Sequence, residues 1–245
     1  MSISPQPARR LSRLLLRAGR QLGAAVLPQD CFLCGAPSGN GLLCGACGSD
    51  MPRLPALRCP VCALPTPQGE TCGACLKRPP HFDATLGCFS YAFPLDRLIQ
   101  ALKYQHRLAV SGYLADALMN ALPSPRVPAD LLLALPLSAQ RLRQRGFNQA
   151  LEIARRLARH LGLPLPVDCC RRVVDTAPQA SLPWQERHKN MQGAFECDLD
   201  FSGKAVIVVD DVMTTGATLN EFARTLKKHG AAKVINWVVA RALRD

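Results

Sequence analysis

Val206-Ile-Val-Val-Asp-Asp-Val-Met-Thr-Thr-Gly-Ala-Thr218 is an apolar run that meets two adjacent carboxylates, then a short threonine loop with one glycine. A run without polar alternation predicts a strand buried on both faces, as in the parallel sheet of an α/β domain. Ligands of such domains collect at the carboxyl ends of the strands. There the Thr214–Thr218 loop can offer backbone amides and a helix N-terminus to a phosphate, and Gly216 permits the tight turn. Asp210 and Asp211 would repel that phosphate, so they suit what lies beside it: ribose hydroxyls or hydrated Mg2+. Thr218 and Glu221 also fit a capping box, a structural use of the same residues. The chain has neither a G-x-x-x-x-G-K-[ST] phosphate loop nor a G-x-G-x-x-G dinucleotide fingerprint.

Outward from this stretch, strands and helices alternate. Residues 84–93 read as a strand. Leu95, Leu98, Ile99 and Leu102 have helical spacing, as do Val110, Tyr113, Leu114, Ala117 and Leu118. The run Leu131–Leu135 predicts a doubly buried strand. The helix expected after it places Phe147, Ala150, Leu151, Ala154, Ala158 and Leu161 on its inner side. Strands near 165–173, 204–209 and 233–240, with a helix at 218–229, complete a parallel-rich α/β sheet with helices on both faces. Whether residues before Leu131 add to that sheet is left open by the pattern alone.

The N-terminal third has a different chemistry. Eight of the 12 cysteines fall in C-x-x-C pairs, and C-x2-C-x9-C-x2-C occurs twice, 28 positions apart. The candidate ligands are Cys31, Cys34, Cys44 and Cys47, then Cys59, Cys62, Cys72 and Cys75. Tetrahedral zinc wants four thiolates and a C-x-x-C turn presents two, so this spacing predicts two structural zinc sites. The pairs could combine within each repeat or across the two. Gly35, Gly45, Gly48 and Gly73 follow cysteines, where backbone amides can turn toward the sulfurs. Disulfides would need an oxidising compartment, and a redox C-x-x-C usually stands alone. Cys88, Cys169, Cys170 and Cys197 lack ligand spacing and read as small buried apolar groups.

The 245 residues are 48% hydrophobic, which supplies a sizeable core and excludes general disorder. Thirty Lys and Arg against 18 Asp and Glu give +12, which points to a phosphate-bearing or polynucleotide partner. Two tetrathiolate zinc sites would lower that balance to about +8. No apolar run approaches the roughly 18–20 residues of a membrane span, and arginines interrupt the N-terminal leucines, unlike a secretory signal. A cytoplasmic protein is therefore expected. Residues 8–27 read as a helix with a leucine stripe and a stripe of Arg10, Arg13, Arg17 and Arg20. It could dock on its own protein or meet nucleic acid. The expected organisation is a basic amphipathic helix (1–27), a double zinc ribbon (28–80) and an α/β domain (81–245).

All 13 positions from Val206 to Thr218 match the phosphoribosyl-pyrophosphate (PRPP) signature of type I phosphoribosyltransferases. The resemblance implies that Asp210 and Asp211 hold the ribose 2′- and 3′-hydroxyls as the catalytic pair. It implies that Thr214, Thr215, Gly216, Ala217 and Thr218 hold the 5′-phosphate, with Mg2+ accompanying the ligand. Together with PLDRLIQALKYQHR (94–107), RLRQRGFNQA (141–150) and TAPQASLPWQERHKNMQGAF (176–195), the whole resembles the ComF/GntX family of bacterial competence-type proteins over about residues 8–240. By position, Pro136–Leu137 corresponds to the fold's pyrophosphate loop. Arg141, Arg143 and Arg145 follow it, suited either to pyrophosphate or to a polynucleotide. Thr176, Gln179, Arg187 and Asn190 fall where type I enzymes carry a loop that closes over the ligand; they could touch PRPP or fix the loop's own shape. The implied role is a DNA-uptake factor with a Mg2+-dependent PRPP site, binding to single-stranded DNA, and a competence helicase as a candidate partner. The alternative is an active phosphoribosyltransferase with an unidentified acceptor. Aromatics make up only 5%, thin for base stacking; Phe32, Phe82 and Tyr104 are those in or near the basic and cysteine-bearing regions.

Overall fold

The computed structural model describes residues 29–121, 128–174 and 193–243. The helix expected at 8–27 lies outside them, as do Thr176, Gln179, Arg187 and Asn190. The chain divides into two compact units at Met51/Pro52.

In the first unit, β1 (Gln29–Asp30) pairs antiparallel with β2 (Pro37–Gly39), and α1 (Gly45–Ser49) follows. Cys31 and Cys34 sit in the turn between the strands. The Cys31 amide donates to the Ala36 carbonyl at 2.7 Å and the Gly35 amide to the Cys31 carbonyl at 2.9 Å. Cys44 caps α1 in an extended conformation, so the second cysteine pair spans a helix start.

The second unit opens with the same device. The Cys59 amide donates to Leu64 at 2.8 Å, the Ala63 amide to Cys59 at 2.9 Å, and Cys72 caps α2 (Gly73–Lys77). The 28-residue repeat is thus a structural repeat. Its one strained substitution is Ala63, which takes φ +59° where Gly35 takes +72°. Gly45, Gly48 and Gly73 have open space around them and no positive φ; of the four glycines, only Gly35 needs its conformational freedom.

Next come β3 (Ala84–Ser90), α3 (Leu95–Tyr104), α4 (Ala109–Asn120), β4 (Leu131–Ala134), α5 (Ala139–Arg145), α6 (Gln149–Leu161), β5 (Cys170–Arg172), β6 (Phe195–Cys197), β7 (Ala205–Met213), α7 (Ala217–Lys228) and β8 (Lys233–Arg241). The central sheet has order β3-β8-β7-β4 and every pairing is parallel. Residues before Leu131 therefore do complete the sheet, through β3 on β8. Helices α4 and α6 cover one face. Leu131, Leu133, Val206, Val208, Val234 and Val238 bury the other against Leu219, Phe222, Ala223 and Leu226 of α7 and Phe195 of the β5–β6 hairpin. Cys59, Cys62 and Cys75 belong to that same core, so the second cysteine module is built into the α/β unit.

Five details differ from the sequence expectation. The helix after β4 is two helices, broken at Gly146 (φ +72°) with Phe147 between them. The inner face of α6 is Ala150, Ile153, Ala154, Leu157 and Ala158, while Leu151 and Leu161 are half-exposed. Strand β7 continues past 209 to Met213, because β8 keeps pairing through Asp210↔Val238 and Val212↔Ala240. Cys170 and Cys197 form a disulfide across the β5–β6 hairpin instead of being separate thiols; Cys88 is a buried thiol as expected and Cys169 is half-buried. The capping box is not formed. Gly216, not Thr218, caps α7, and Glu221 turns instead to Arg224 (2.5 Å) and the Gly193 amide (2.6 Å). Among the described residues, no helix is long and apolar enough to cross a membrane.

Candidate functional site

Parallel strands end together, so β4, β7 and β8 bring their carboxyl ends to one edge of the sheet. A cavity of about 240 Å3 opens there. Asp210, Asp211, Thr214, Gly216, Ala217 and Thr218 line one side, and Pro136, Leu137, Arg141 and Arg145 the other. Lys103 and Arg172 complete a cationic arc around the two carboxylates. Thr215 lies just outside the lining; its hydroxyl accepts from the Ala217 amide at 3.3 Å. Arg143 is exposed and does not line the cavity, and Arg187 lies outside the described residues.

The loop's shape follows from Gly216 and Met213. Gly216 adopts φ +82°, and a Cβ there would stand 2.6 Å from the Met213 Cε. The Met213 side chain therefore fills the space that only a glycine leaves. Helix α7 starts at the next residue, and its first turn, Ala217, Thr218 and Leu219, lines the cavity, so the positive end of its dipole lies at the cavity edge.

Alternation along β7 separates the two carboxylates. Asp210 shares the face of Val206 and Val208; Asp211 shares the face of Ile207 and Val209. Lys103, at the last turn of α3, meets Asp211 with Nζ 2.8 Å from Oδ2, and both side chains are largely buried. The Asp211 amide donates to Asp210 at 2.8 Å. Burial, and then the Asp211 charge, push the Asp210 carboxyl up to about 7, against the pull of Lys103, the Asp211 amide and Arg145. Asp210 thus holds its proton more tightly than an ordinary carboxyl.

The Gly146-Phe-Asn-Gln149 segment explains itself in the structure. Gly146 ends α5 in the left-handed conformation. Asn148 caps α6 by accepting from Leu151 at 3.3 Å and donates to the Leu135 carbonyl at 3.0 Å, which ties α6 to the loop after β4. The Gln149 side chain, 1% exposed, accepts from Arg145 at 3.0 Å and so aims that guanidinium. Arg145 also lies 5.6 Å from the ring centre of the exposed Tyr104. Phe82 is buried and Phe32 half-buried. Sequence reasoning missed Lys103, Gln149 and Arg172. The available signal for Lys103 was its place one turn after Ile99, beside the apolar stripe of α3. That signal is weak, because lysines commonly flank such stripes with their stems on the apolar surface and their heads in water.

The cysteines resolve the question of pairing. Cys31, Cys34, Cys44 and Cys47 form one cluster, and Cys59, Cys62, Cys72 and Cys75 another; in each, the sulfurs all lie within 4.8 Å of one another. Each repeat therefore closes on itself. Burial raises the Cys31 thiol, but amides of Cys44, Cys34 and Leu33 outweigh it and leave it at about 6; Cys59 falls to about 7 by the same balance. Four convergent sulfurs with amide support are the donor set of a tetrathiolate zinc site, and the two clusters are the chain's two zinc sites.

A parallel sheet with an acidic pair and a threonine–glycine loop at its carboxyl edge defines an α/β domain of the phosphoribosyltransferase type, here joined to zinc ribbons. Residues 148–245 match the phosphoribosyl transferase domain and residues 22–76 the double zinc ribbon domain. The chain is 33% identical over 222 residues to the DNA utilization protein YhgH of Salmonella typhi, covering 87% of this chain and 84% of that protein. It is 33% identical to the YhgH of Escherichia coli K12 (89% and 99% covered) and 32% identical to competence protein F of Haemophilus influenzae (81% and 84%). The chain belongs to this YhgH/competence protein F family.

Proposed function

We propose that this protein serves in DNA uptake or utilisation, as its relatives' names describe them, with a PRPP-type ligand in the β7–α7 site and single-stranded DNA as a partner. The observation that carries the ligand is the juxtaposition, in one cavity, of the Asp210/Asp211 pair, the Thr214–Thr218 loop and the cations Lys103, Arg141, Arg145 and Arg172. The loop amides and the α7 terminus suit a 5′-phosphate, the carboxylates suit ribose hydroxyls, and the cationic arc suits a diphosphate. Mg2+ would enter with the diphosphate and neutralise part of its charge. The acidic pair and the small cavity fit that composite ligand better than a bare polynucleotide backbone, which carboxylates would repel.

Turnover would break the C1′–oxygen bond of PRPP, with the electron pair leaving on pyrophosphate and an acceptor's lone pair forming the new bond. In that step the arginines would stabilise the leaving group, and Asp210 and Asp211 would face the sugar as positive charge develops. The relatives' names favour DNA handling as the physiological role, with a transferase acting on an unidentified acceptor as the second reading. A competence helicase and a cytoplasmic location belong to the first reading.

The test is calorimetric titration of Mg2+–PRPP into zinc-loaded protein, with the Asp210→Asn/Asp211→Asn double variant alongside. Saturable binding lost in the variant is expected. A folded, zinc-loaded wild type that takes up no PRPP would overturn the ligand assignment.

A further inference from the structure

Arg241, the last residue of β8, is 3% exposed and has its guanidinium between the second zinc module and the ligand loop. Its Nε donates to the Cys62 carbonyl at 2.9 Å. Its Nη1 donates to the Met213 carbonyl at 3.0 Å, to the Thr214 carbonyl, and to the Ala242 carbonyl at 2.8 Å. Cys62 closes the Cys59–Cys62 knuckle, whose Pro60 carbonyl also accepts from the Thr85 amide of β3 at 3.1 Å. On the far side of the module, the His81 amide donates to Asn220 in the first turn of α7 at 2.7 Å, and the Phe82 ring lies 3.9 Å from the position of a Cβ at Gly216. The module at Cys62, and His81 and Phe82 just after it, thus contact the ligand loop and the first turn of α7.

A trans peptide sets its N–H opposite its C=O. Holding the Met213 and Thr214 carbonyls on Arg241 therefore turns the Thr214 and Thr215 amides away from the guanidinium, free for an anion. The buried positive charge behind the loop adds to the attraction. The Cys62 carbonyl can hold Nε only while the knuckle keeps its shape, and a zinc ion on Cys59, Cys62, Cys72 and Cys75 would fix that shape.

We propose that Arg241 is a positioning residue through which the second zinc site, and not the first, sets the Met213–Thr218 loop, so that zinc in that site and a phosphate ligand on the loop each favour the other's binding. The ligand half of this coupling rests on the PRPP reading; the effect of zinc on the loop does not.

The test is hydrogen–deuterium exchange on the full zinc-loaded chain, comparing wild type with Arg241→Lys, Cys72→Ser (second site) and Cys44→Ser (first site). Exchange over residues 213–220 should rise about tenfold in Arg241→Lys and Cys72→Ser, the fold-change of one lost charge-assisted hydrogen bond, and stay at the wild-type rate in Cys44→Ser. Wild-type exchange in Arg241→Lys overturns the proposal, as does wild-type exchange in Cys72→Ser after it has lost one zinc. Should Cys72→Ser unfold the whole unit, Arg241→Lys decides the loop effect alone.

The reciprocal measurement needs no cysteine variant: the rate at which a colorimetric chelator takes zinc from the wild type, with and without Mg2+–PRPP. Slower release of one zinc, lost in Arg241→Lys, is expected by linkage. PRPP that binds yet leaves both release rates unchanged overturns the coupling. A wild type that does not bind PRPP overturns the ligand reading, and the exchange comparison still decides whether Arg241 carries the zinc effect to the loop.

Discussion

Asp210 and Asp211 are neighbours in sequence with different surroundings. Asp211 has a lysine partner within 2.8 Å, while Asp210 is pushed up to about 7 by burial and by the carboxylate next to it. The sign of the consequence is fixed. A carboxyl whose folded pKa stands above its unfolded value binds extra protons in the native state between roughly pH 4 and 7, so its ionisation costs stability as pH rises through that window. Ligand-free Asp210→Asn should therefore be more stable than wild type by about 4 kcal/mol at pH 8 and by only about 1–2 kcal/mol at pH 5. Denaturant melts at the two pH values check this, and parallel pH slopes for the two proteins would refute it. The place of the carboxylate pair at the end of a buried strand was legible in the sequence, because the unbroken apolar run stops at Asp210. Lys103 was not. It is 108 positions from Asp211 and meets it only because α3 packs across the carboxyl edge of the sheet.

At the scale of an element, the two cysteine modules repeat each other's hydrogen bonds at a spacing of 28 residues, with alanine at position 63 where glycine stands at 35. An L-residue in the left-handed region pays about 1 kcal/mol that glycine does not. Ala63 is fully buried, so replacing it removes one methyl from packing as well. Ala63→Gly should thus change stability by less than about 1 kcal/mol, and zinc should leave the second site no faster. A destabilisation of several kcal/mol in thermal unfolding would mean that the methyl group, not the backbone, holds this turn. The repeat and its thiolate chemistry could be read from spacing alone. Whether pairs closed within or across repeats could not, because a C-x-x-C turn offers two sulfurs without saying where the other two stand. The helix break at Gly146 was also missed: Phe147 fits the apolar period of α6, and only the left-handed glycine before it and the Asn148 cap after it separate the two helices.

The whole molecule carries +12, or about +8 with two zinc tetrathiolates in place. Binding to single-stranded DNA led by that charge should weaken with salt, log K falling by about 0.7 per log unit of salt for each phosphate contacted, with little sequence preference. Fluorescence anisotropy of a labelled oligonucleotide across salt concentrations measures the slope. A salt-independent affinity, or none, would leave DNA handling to a partner protein. The exposed aromatics near the cavity are Tyr91 in its lining and Tyr104 beside Arg145, so base stacking adds little to the expected affinity.

Sequence by itself determined what short-range patterns encode. The unbroken apolar run and its acidic end predicted the parallel sheet and put the candidate site at its edge. The cysteine spacing predicted two tetrathiolate sites, and Gly216 marked the turn. These are local signals, since a strand's burial, a metal's valence and a backbone angle are each written within a dozen residues. Tertiary structure decided everything that depends on residues distant in the chain. It put β3 at the sheet's edge, Lys103 on Asp211, Cys170 against Cys197, and Arg241 between a zinc knuckle and the ligand loop. A hydrogen bond or ion pair across a hundred positions leaves no period or spacing to read, because the packing of the sheet and its helices alone brings its two ends together.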